Sequence, residues 1–198
     1  MSAFNRNRTR KIVGIALFSA IVVVLQLLGS FIRFGQFSIS LVLIPIVVGS
    51  AVYGMGSGTW LGFMFGLAVL MSGDAGTFLA ISVPGTVITV LGKGLLAGFF
   101  VDLVYTLLNK INKYCAVIVS AIVCPLVNTG VFLLGCNIFF LDTIKEWSAA
   151  SEHGSNFVSY MFLALVGGNF IFELLVNIVL SPTIVKIVNV GISKSSKK

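Results

Sequence analysis

Two ionisable side chains, Lys93 and Glu173, lie inside long apolar stretches of the sequence. A charge at the centre of a membrane helix costs about 2.5–3.5 kcal/mol on insertion scales, so such a residue requires a partner, a cavity or a substrate. At a rise of about 1.5 Å per residue, Lys93 lies about 10 Å and Glu173 about 24 Å from the start of its apolar stretch. The pair could bind a substrate of opposite charge, neutralise each other, or relay ions or protons.

Side-chain amides occur in the same apolar stretches. Asn169, Glu173 and Asn177 are spaced i, i+4 and i+8, which places them on one face of a helix. Asn128 and Asn169 fall at a depth similar to that of Lys93, about 10–18 Å from one side of the membrane. We therefore predict a small-molecule pocket in the outer half, with Lys93, Asn128, Asn169 and Glu173 as substrate-binding residues. The alternative for each asparagine is a hydrogen bond to a neighbouring helix.

The motifs of ATP-binding proteins, metal sites and hydrolases do not occur in the sequence. Gly92 and Lys93 lack the upstream glycine and the following hydroxyl residue of a phosphate-binding loop. His153 is the only histidine and lies in a polar segment, and the three cysteines are far apart. We expect neither an enzyme nor a metal or cofactor site.

The composition indicates an integral membrane protein. Of the 198 residues, 58% are hydrophobic and 10% charged, whereas soluble domains average about 45–50% and about 25%. The apolar runs are continuous, which favours membrane helices over a β-barrel with alternating residues. A chain of this length has room for roughly six or seven spans of about 20 residues. The predicted fold is an all-α membrane protein with one domain over residues 1–198.

We predict a bundle of six transmembrane helices. Their predicted bounds are 12–28, 39–53, 60–71, 86–108, 114–140 and 157–180. The first of these contains Ala16 and Ala20, which are four residues apart. Small residues at this spacing allow another helix backbone to approach closely.

The basic residues indicate the orientation of the chain. Ten of the 13 Lys and Arg residues lie in the N-terminal arm, in the 109–113 turn or in the C-terminal tail. The loops of the opposite side contain Arg33 and Lys145 together with four acidic residues. By the positive-inside rule both termini are predicted to be cytoplasmic. Asp102, close to the same side, is predicted to lie at the membrane interface.

Five segments resemble one family of membrane proteins. They are ALFSA (16–20), FSISLVLIPIVVG (37–49), YG (53–54), LGFMFGL (61–67) and CPLVN (124–128). In these segments, and in length and number of spans, the whole chain resembles a substrate-binding S component of an energy-coupling factor (ECF) vitamin transporter.

The resemblance implies a six-helix subunit of the bacterial plasma membrane that has no ATPase of its own. Its partners would be a membrane coupling subunit and two ABC-type ATPase subunits, which hydrolyse ATP. Ala16 and Ala20 would contact the coupling subunit. The substrate would lie near the outer face, with residues 33–37, 72–84 and 142–156 as candidate lids.

The polar residues of the predicted pocket narrow the choice of substrate. Lys93 favours an anionic group, because a bound carboxylate offsets a buried ammonium. Asn128 and Asn169 suit amide or hydroxyl groups. Pantothenate fits both requirements, and another B-type vitamin or precursor remains open. The other function classes are a stand-alone secondary transporter or channel with a Lys93–Glu173 relay, and a membrane-assembly protein without a ligand.

Overall fold

The computed structural model describes residues 3–31, 33–34, 37–38, 41–150 and 159–196. These residues form α-helices, one π-helical segment and one hairpin of two short strands. The α-helices are α1 (Ala3–Gly29), α2 (Leu43–Tyr53), α3 (Ser57–Ser72), α4 (Gly76–Ile81), α5 (Val83–Leu108), α6 (Lys113–Phe139), α7 (Leu141–Ala149) and α8 (Gly168–Ser196). The π-helical segment, Tyr160–Gly167, leads directly into α8. The strands β1 (Arg33–Phe34) and β2 (Phe37–Ser38) pair antiparallel.

Four helices are long and apolar enough to cross a membrane. These stretches are Arg8–Gly29, Val83–Leu108, Lys113–Phe139 and Gly168–Lys186. The chain is therefore an all-α, multi-pass membrane protein, as predicted. The other apolar helices, α2 and α3, have 11 and 16 residues, or about 16 and 24 Å at 1.5 Å per residue, against a hydrocarbon core of about 30 Å. The count of six spans and the cytoplasmic termini remain predictions.

Some helix bounds differ from the predicted ones. Residues 39–40 and 157–158, at the starts of the second and sixth predicted spans, lie outside the described residues. The last helix continues past Leu180 and through Pro182 to Ser196. The predicted span ends where the apolar run ends. The helix continues further because polar residues can extend a helix beyond its apolar stretch. The predicted loop between the third and fourth spans contains α4, which follows a turn at Gly73 (φ 83°).

The backbones of α3 and α5 are in direct contact. The contact consists of glycines spaced by four residues: Gly58, Gly62 and Gly66 on α3, and Gly94 and Gly98 on α5. A Cβ atom added to Gly62 would lie 2.0 Å from the carbonyl oxygen of Gly94, and one added to Gly98 would lie 2.1 Å from that of Gly58. No side chain fits there, so only glycine allows this approach.

Asp102 of α5 holds the beginning of α3. Its carboxylate accepts hydrogen bonds from the backbone N–H groups of Gly56 (3.0 Å), Gly58 (3.0 Å) and Thr59 (2.8 Å). The Thr59 hydroxyl donates a fourth bond at 2.8 Å. The side chain is 1% exposed, so Asp102 is buried within the protein, and its predicted position at the depth of the membrane interface stays a prediction. A carboxylate at a helix N-terminus satisfies amides that have no partner within the helix, and it is stabilised by the positive end of the helix dipole.

Polar bonds attach α1 to α3 and α8 to α6. The indole Nε1 of Trp60 on α3 donates to the Ser19 hydroxyl of α1 at 3.1 Å. On α8, the Nδ2 of Asn177 donates to the carbonyl oxygen of Ala121 on α6 at 3.0 Å, and its Oδ1 accepts from Ser181 at 2.8 Å. Asn177 thus makes a hydrogen bond to a neighbouring helix, which was the predicted alternative to substrate binding for the asparagines.

The glycine contact generates a stability prediction. Gly94→Ala places a methyl group 2.2 Å from the carbonyl oxygen of Gly62, so the helices must separate. We expect a loss of about 1–3 kcal/mol, as for other overpacked sites, measured as a lower midpoint of thermal unfolding in detergent.

Gly92→Ala is the matched control on the same helix, because a Cβ at Gly92 meets no atom within 4 Å. Alanine is the better helix former by roughly 0.8–1 kcal/mol, so this variant is expected to be at least as stable as the wild type. Equal midpoints for the two variants would contradict the proposed role of the glycine contact.

Candidate functional site

A cavity opens at the end of the bundle opposite the start of α1 and the end of α8. It lies among Gln26 near the end of α1, Thr86 near the start of α5, Phe140 just after α6, and Asn169 at the start of α8. It has a volume of about 90 Å³ and is partly open to the outside.

The cavity is lined by eight polar or charged side chains and eight apolar ones. The polar and charged ones are Gln26, Asp74, Thr86, Thr89, Lys93, Thr129, Asn169 and Glu173. The others are Val69, Ala75, Phe78, Val90, Phe132, Phe140, Val166 and Phe170. Apolar walls combined with convergent polar groups are the usual design of a ligand site.

The structure brings together three of the four residues that the sequence predicted for substrate binding. Lys93, Asn169 and Glu173 line the cavity, whereas Asn128 does not. Asn128 is buried on α6 at 5% exposure, and its neighbour Thr129 lines the cavity instead. Within the described residues, the amide oxygen of Asn128 has no hydrogen-bond partner.

The Lys93 ammonium lies between two phenyl rings. Its Nζ is 5.4 Å from the ring centre of Phe65 and 5.5 Å from that of Phe132. Ring faces carry negative charge density and attract a cation within about 6 Å. The side chain is half-buried and faces the cavity, so the ammonium is surrounded by protein but is still accessible to a ligand.

Two carboxylates attract the ammonium of Lys93. Glu173 of α8 and Asp74 of the turn after α3 both interact with the ammonium electrostatically. Glu173 is 6% exposed, and Asp74 accepts a hydrogen bond from the Gln26 side chain at 2.5 Å. The lysine therefore has acidic neighbours as well as access to the cavity, and both sequence hypotheses for Lys93 stay open.

The sequence analysis missed Thr89 as a site residue. Its side chain is 4% exposed and lines the cavity, and its hydroxyl is buried without a hydrogen-bond partner in the described part of the chain. The spacing could have revealed it, because Thr86, Thr89 and Lys93 lie at i, i+3 and i+7 on one face of α5. The Thr86 hydroxyl instead donates to the carbonyl oxygen of Ser82 at 2.7 Å.

Aromatic rings close the outer end of the cavity. Phe78 of α4 makes edge-to-face contacts with Phe132 (5.6 Å between ring centres), Phe140 (5.0 Å) and Trp147 (6.0 Å). Such pairs add about 0.5–1.5 kcal/mol each beyond burial. Two predicted lid segments thus meet here, 72–84 through Phe78 and 142–156 through Trp147 of α7. Residues 151–158 lie outside the described residues.

Among the described lining residues, Asp74 and Glu173 are of types that can bind a metal ion. Over the ranges that the structure describes, no three His, Cys, Asp or Glu side chains lie close enough together to hold a metal ion. The chemistry of the cavity is therefore that of hydrogen bonds, ion pairs and contacts with aromatic rings.

The family of the chain follows from a comparison with protein-family models. The model described as "ECF transporter, substrate-specific component" matches residues 10–188. The chain belongs to this family. The resemblance stated from the sequence is thereby confirmed, and the S component is a substrate-binding subunit of a transporter and not itself an enzyme. Searches of curated proteins and of solved structures found no match.

Ala16 and Ala20 of the S component lie on the outer surface of α1. Both are exposed, and the neighbouring Leu17 and Val24 are 60% and 52% exposed. Ser19, between them, faces inward and bonds to Trp60 of α3. The two alanines therefore belong to a surface that another helix could contact.

Proposed function

We propose that this S component is the high-affinity substrate-binding subunit of an ATP-driven ECF importer for a small water-soluble vitamin or precursor. The observation that carries the proposal is the cavity, where Lys93, Asn169 and Glu173 from two helices converge. The chain has no phosphate-binding loop, so ATP hydrolysis is assigned to two ATPase subunits, reached through a membrane coupling subunit. The location is the bacterial plasma membrane.

The orientation of the cavity supports uptake. It lies at the end of the bundle away from the basic N-terminal arm, the 109–113 turn and the basic tail. If those basic segments are cytoplasmic, the cavity opens outward, where an importer meets its substrate.

Pantothenate is the substrate that the sequence favours. Lys93 would bind its carboxylate, while Asn169 and Thr89 supply hydrogen-bonding groups for amide or hydroxyl atoms. Asn128 does not line the cavity, so a direct contact with the substrate is not proposed for it.

A second candidate function is a stand-alone secondary transporter or channel. The closeness of Lys93 to the carboxylates Glu173 and Asp74 favours it, because intramembrane ionisable chains often relay protons. The two functions differ in their dependence on partners. Uptake that persists in cells lacking the ATPase subunits would support the relay, whereas complete loss of uptake supports the ECF importer.

The first functional prediction concerns Lys93. Lys93→Met keeps most of the side-chain length and removes the charge. We expect affinity for the tightest-binding vitamin or precursor to fall by roughly 30-fold or more, because removing one partner of a buried charge pair costs about 2–5 kcal/mol. Isothermal titration of the purified protein measures this, and Lys110→Met, in the exposed turn between α5 and α6, is the matched control with unchanged affinity.

The structural alternative predicts a different result for the same variant. If Lys93 only neutralises Glu173, Lys93→Met destabilises the fold by leaving a buried carboxylate, and Lys93→Met with Glu173→Gln restores both stability and binding. Near-normal affinity in the double variant would contradict a direct contact between Lys93 and the substrate.

The second prediction concerns the coupling surface. Ala16→Leu with Ala20→Leu places two bulky side chains on α1 and prevents close helix approach. We expect loss of copurification with the coupling subunit and loss of uptake, with ligand affinity of the isolated S component unchanged. Ala149→Leu, the same change at an exposed position of α7, is expected to assemble normally. Normal assembly of the double variant would exclude this surface as the interface.

The third prediction concerns orientation. Cys115 is exposed beside the basic 109–113 turn, while Cys124 and Cys136 are buried. In intact cells a membrane-impermeant maleimide should leave Cys115 unlabelled, but it should label an Ala150→Cys variant at the opposite end. Permeabilised cells should label both positions. Labelling of Cys115 in intact cells would contradict the predicted topology and indicate the opposite one.

A further inference from the structure

A proline interrupts the backbone hydrogen bonding of α6. Proline has no N–H group, so the carbonyl group four residues before it in a helix loses its usual donor. Pro125 lies inside α6, and the carbonyl group concerned is that of Ala121. Both residues are buried, so bulk water is not available as a replacement. Because a buried carbonyl group without a partner is destabilising, a donor from elsewhere in the protein is required.

Asn177 of α8 supplies a donor to this carbonyl group. Its Nδ2 donates to the carbonyl oxygen of Ala121 at 3.0 Å, and its Oδ1 accepts from the Ser181 hydroxyl at 2.8 Å. A carbonyl oxygen can only accept, so the amide nitrogen must face α6. Asn177 and Ser181 are 1% and 0% exposed. The amide is thus buried and held in one orientation by two helices.

This bond lies next to the parts of α6 and α8 that face the cavity. Glu173 and Asn169 line the cavity one and two turns before Asn177, on the same face of α8. Thr129 lines it one turn beyond Pro125 on α6. Asn177 itself does not line the cavity. A helix that is bonded at this point cannot rotate about its axis or slide along it without breaking the bond.

We infer that Asn177 is a positioning residue of the substrate site. By bonding the carbonyl group that Pro125 leaves without a helical donor, it sets the rotation and the height of α8. The cavity-lining side chains of α8, one and two turns away, are directed into the cavity as a result. The inference rests on the proposed function, because it takes the cavity to be the substrate site, and it adds a residue that acts without touching the substrate.

The first measurement tests the pairing of Asn177 with Pro125 and needs no ligand. Thermal unfolding is recorded for Asn177→Leu, Pro125→Ala and the double variant. Asn177→Leu removes the side-chain donor and is expected to lower the midpoint by several degrees. Pro125→Ala restores a backbone N–H group four residues after Ala121, so in this background Asn177→Leu should lower the midpoint by less than half as much. Equal losses in the two backgrounds mean that the sites are independent. That result would overturn the inference while the proposed function stands.

The second measurement tests the effect on the substrate site. The probe is whichever of pantothenate, thiamin, riboflavin, biotin and nicotinate raises the unfolding midpoint of the wild type most, since a ligand that binds the folded state stabilises it. Asn177→Leu is expected to weaken binding of this probe by roughly 10-fold, equivalent to about one lost hydrogen bond. Isothermal titration at a temperature at which every variant is folded measures the affinity. Should Asn177→Leu not fold, Ser181→Ala removes one of the two bonds of the amide, and a smaller fall in affinity is expected.

Val185→Ala is the matched control. Val185 is buried at 7% exposure two turns beyond Asn177 on the same helix, so its truncation lowers stability without removing a polar bond. Its affinity for the probe is expected to equal that of the wild type. Unchanged affinity in the Asn177 and Ser181 variants would show that the bond only stabilises the fold, and the inference would be overturned. If none of the five compounds stabilises the wild type, the proposed function fails and the positioning role fails with it.

Discussion

The contact between the glycine backbones of α3 and α5 is the constraint on which the rest of the structure depends. With Gly62 and Gly94 in van der Waals contact through their main chains, neither helix can rotate or slide without a clash. The adjacent residue, Lys93, is thereby held facing the cavity. Two turns further along α5, Asp102 reaches the first amides of α3. This interface therefore fixes the positions of both the Asp102 carboxylate and the Lys93 ammonium.

The two buried charges of α5 are stabilised in different ways. Asp102 receives four hydrogen bonds from α3 and the turn before it, so its cost of desolvation is offset within the protein and it needs nothing further. Lys93 lies between two phenyl rings, interacts electrostatically with Glu173 and Asp74, and faces the cavity. A buried charge whose surroundings include a cavity has capacity for a ligand. Asp102 is therefore a structural ion, whereas substrate binding by Lys93 is what the proposed function requires.

The sequence allowed prediction of what depends on composition and missed what depends on contacts. Membrane class, Lys93 and Glu173 follow from the rarity of charge in apolar sequence, a strong signal. The structural role of Asp102 was missed because its amide partners lie 43–46 residues away in the chain. Thr89 was missed because threonine is common in membrane helices, so only its position on the face of Lys93 marks it. The glycine spacing on α3 was visible, but spacing alone does not identify the partner helix.

The composition of the cavity also explains how a binding subunit can both hold and release its substrate. Ion pairs and ring contacts are strong where water is excluded and weak where it is not, because the effective dielectric constant enters the Coulomb energy directly. Phe78 and Phe132 line the cavity, and Trp147 of a third helix packs on Phe78. If the cavity is the substrate site, as proposed, separation of these rings would admit more water to Lys93 and Glu173 and weaken their interactions with the substrate.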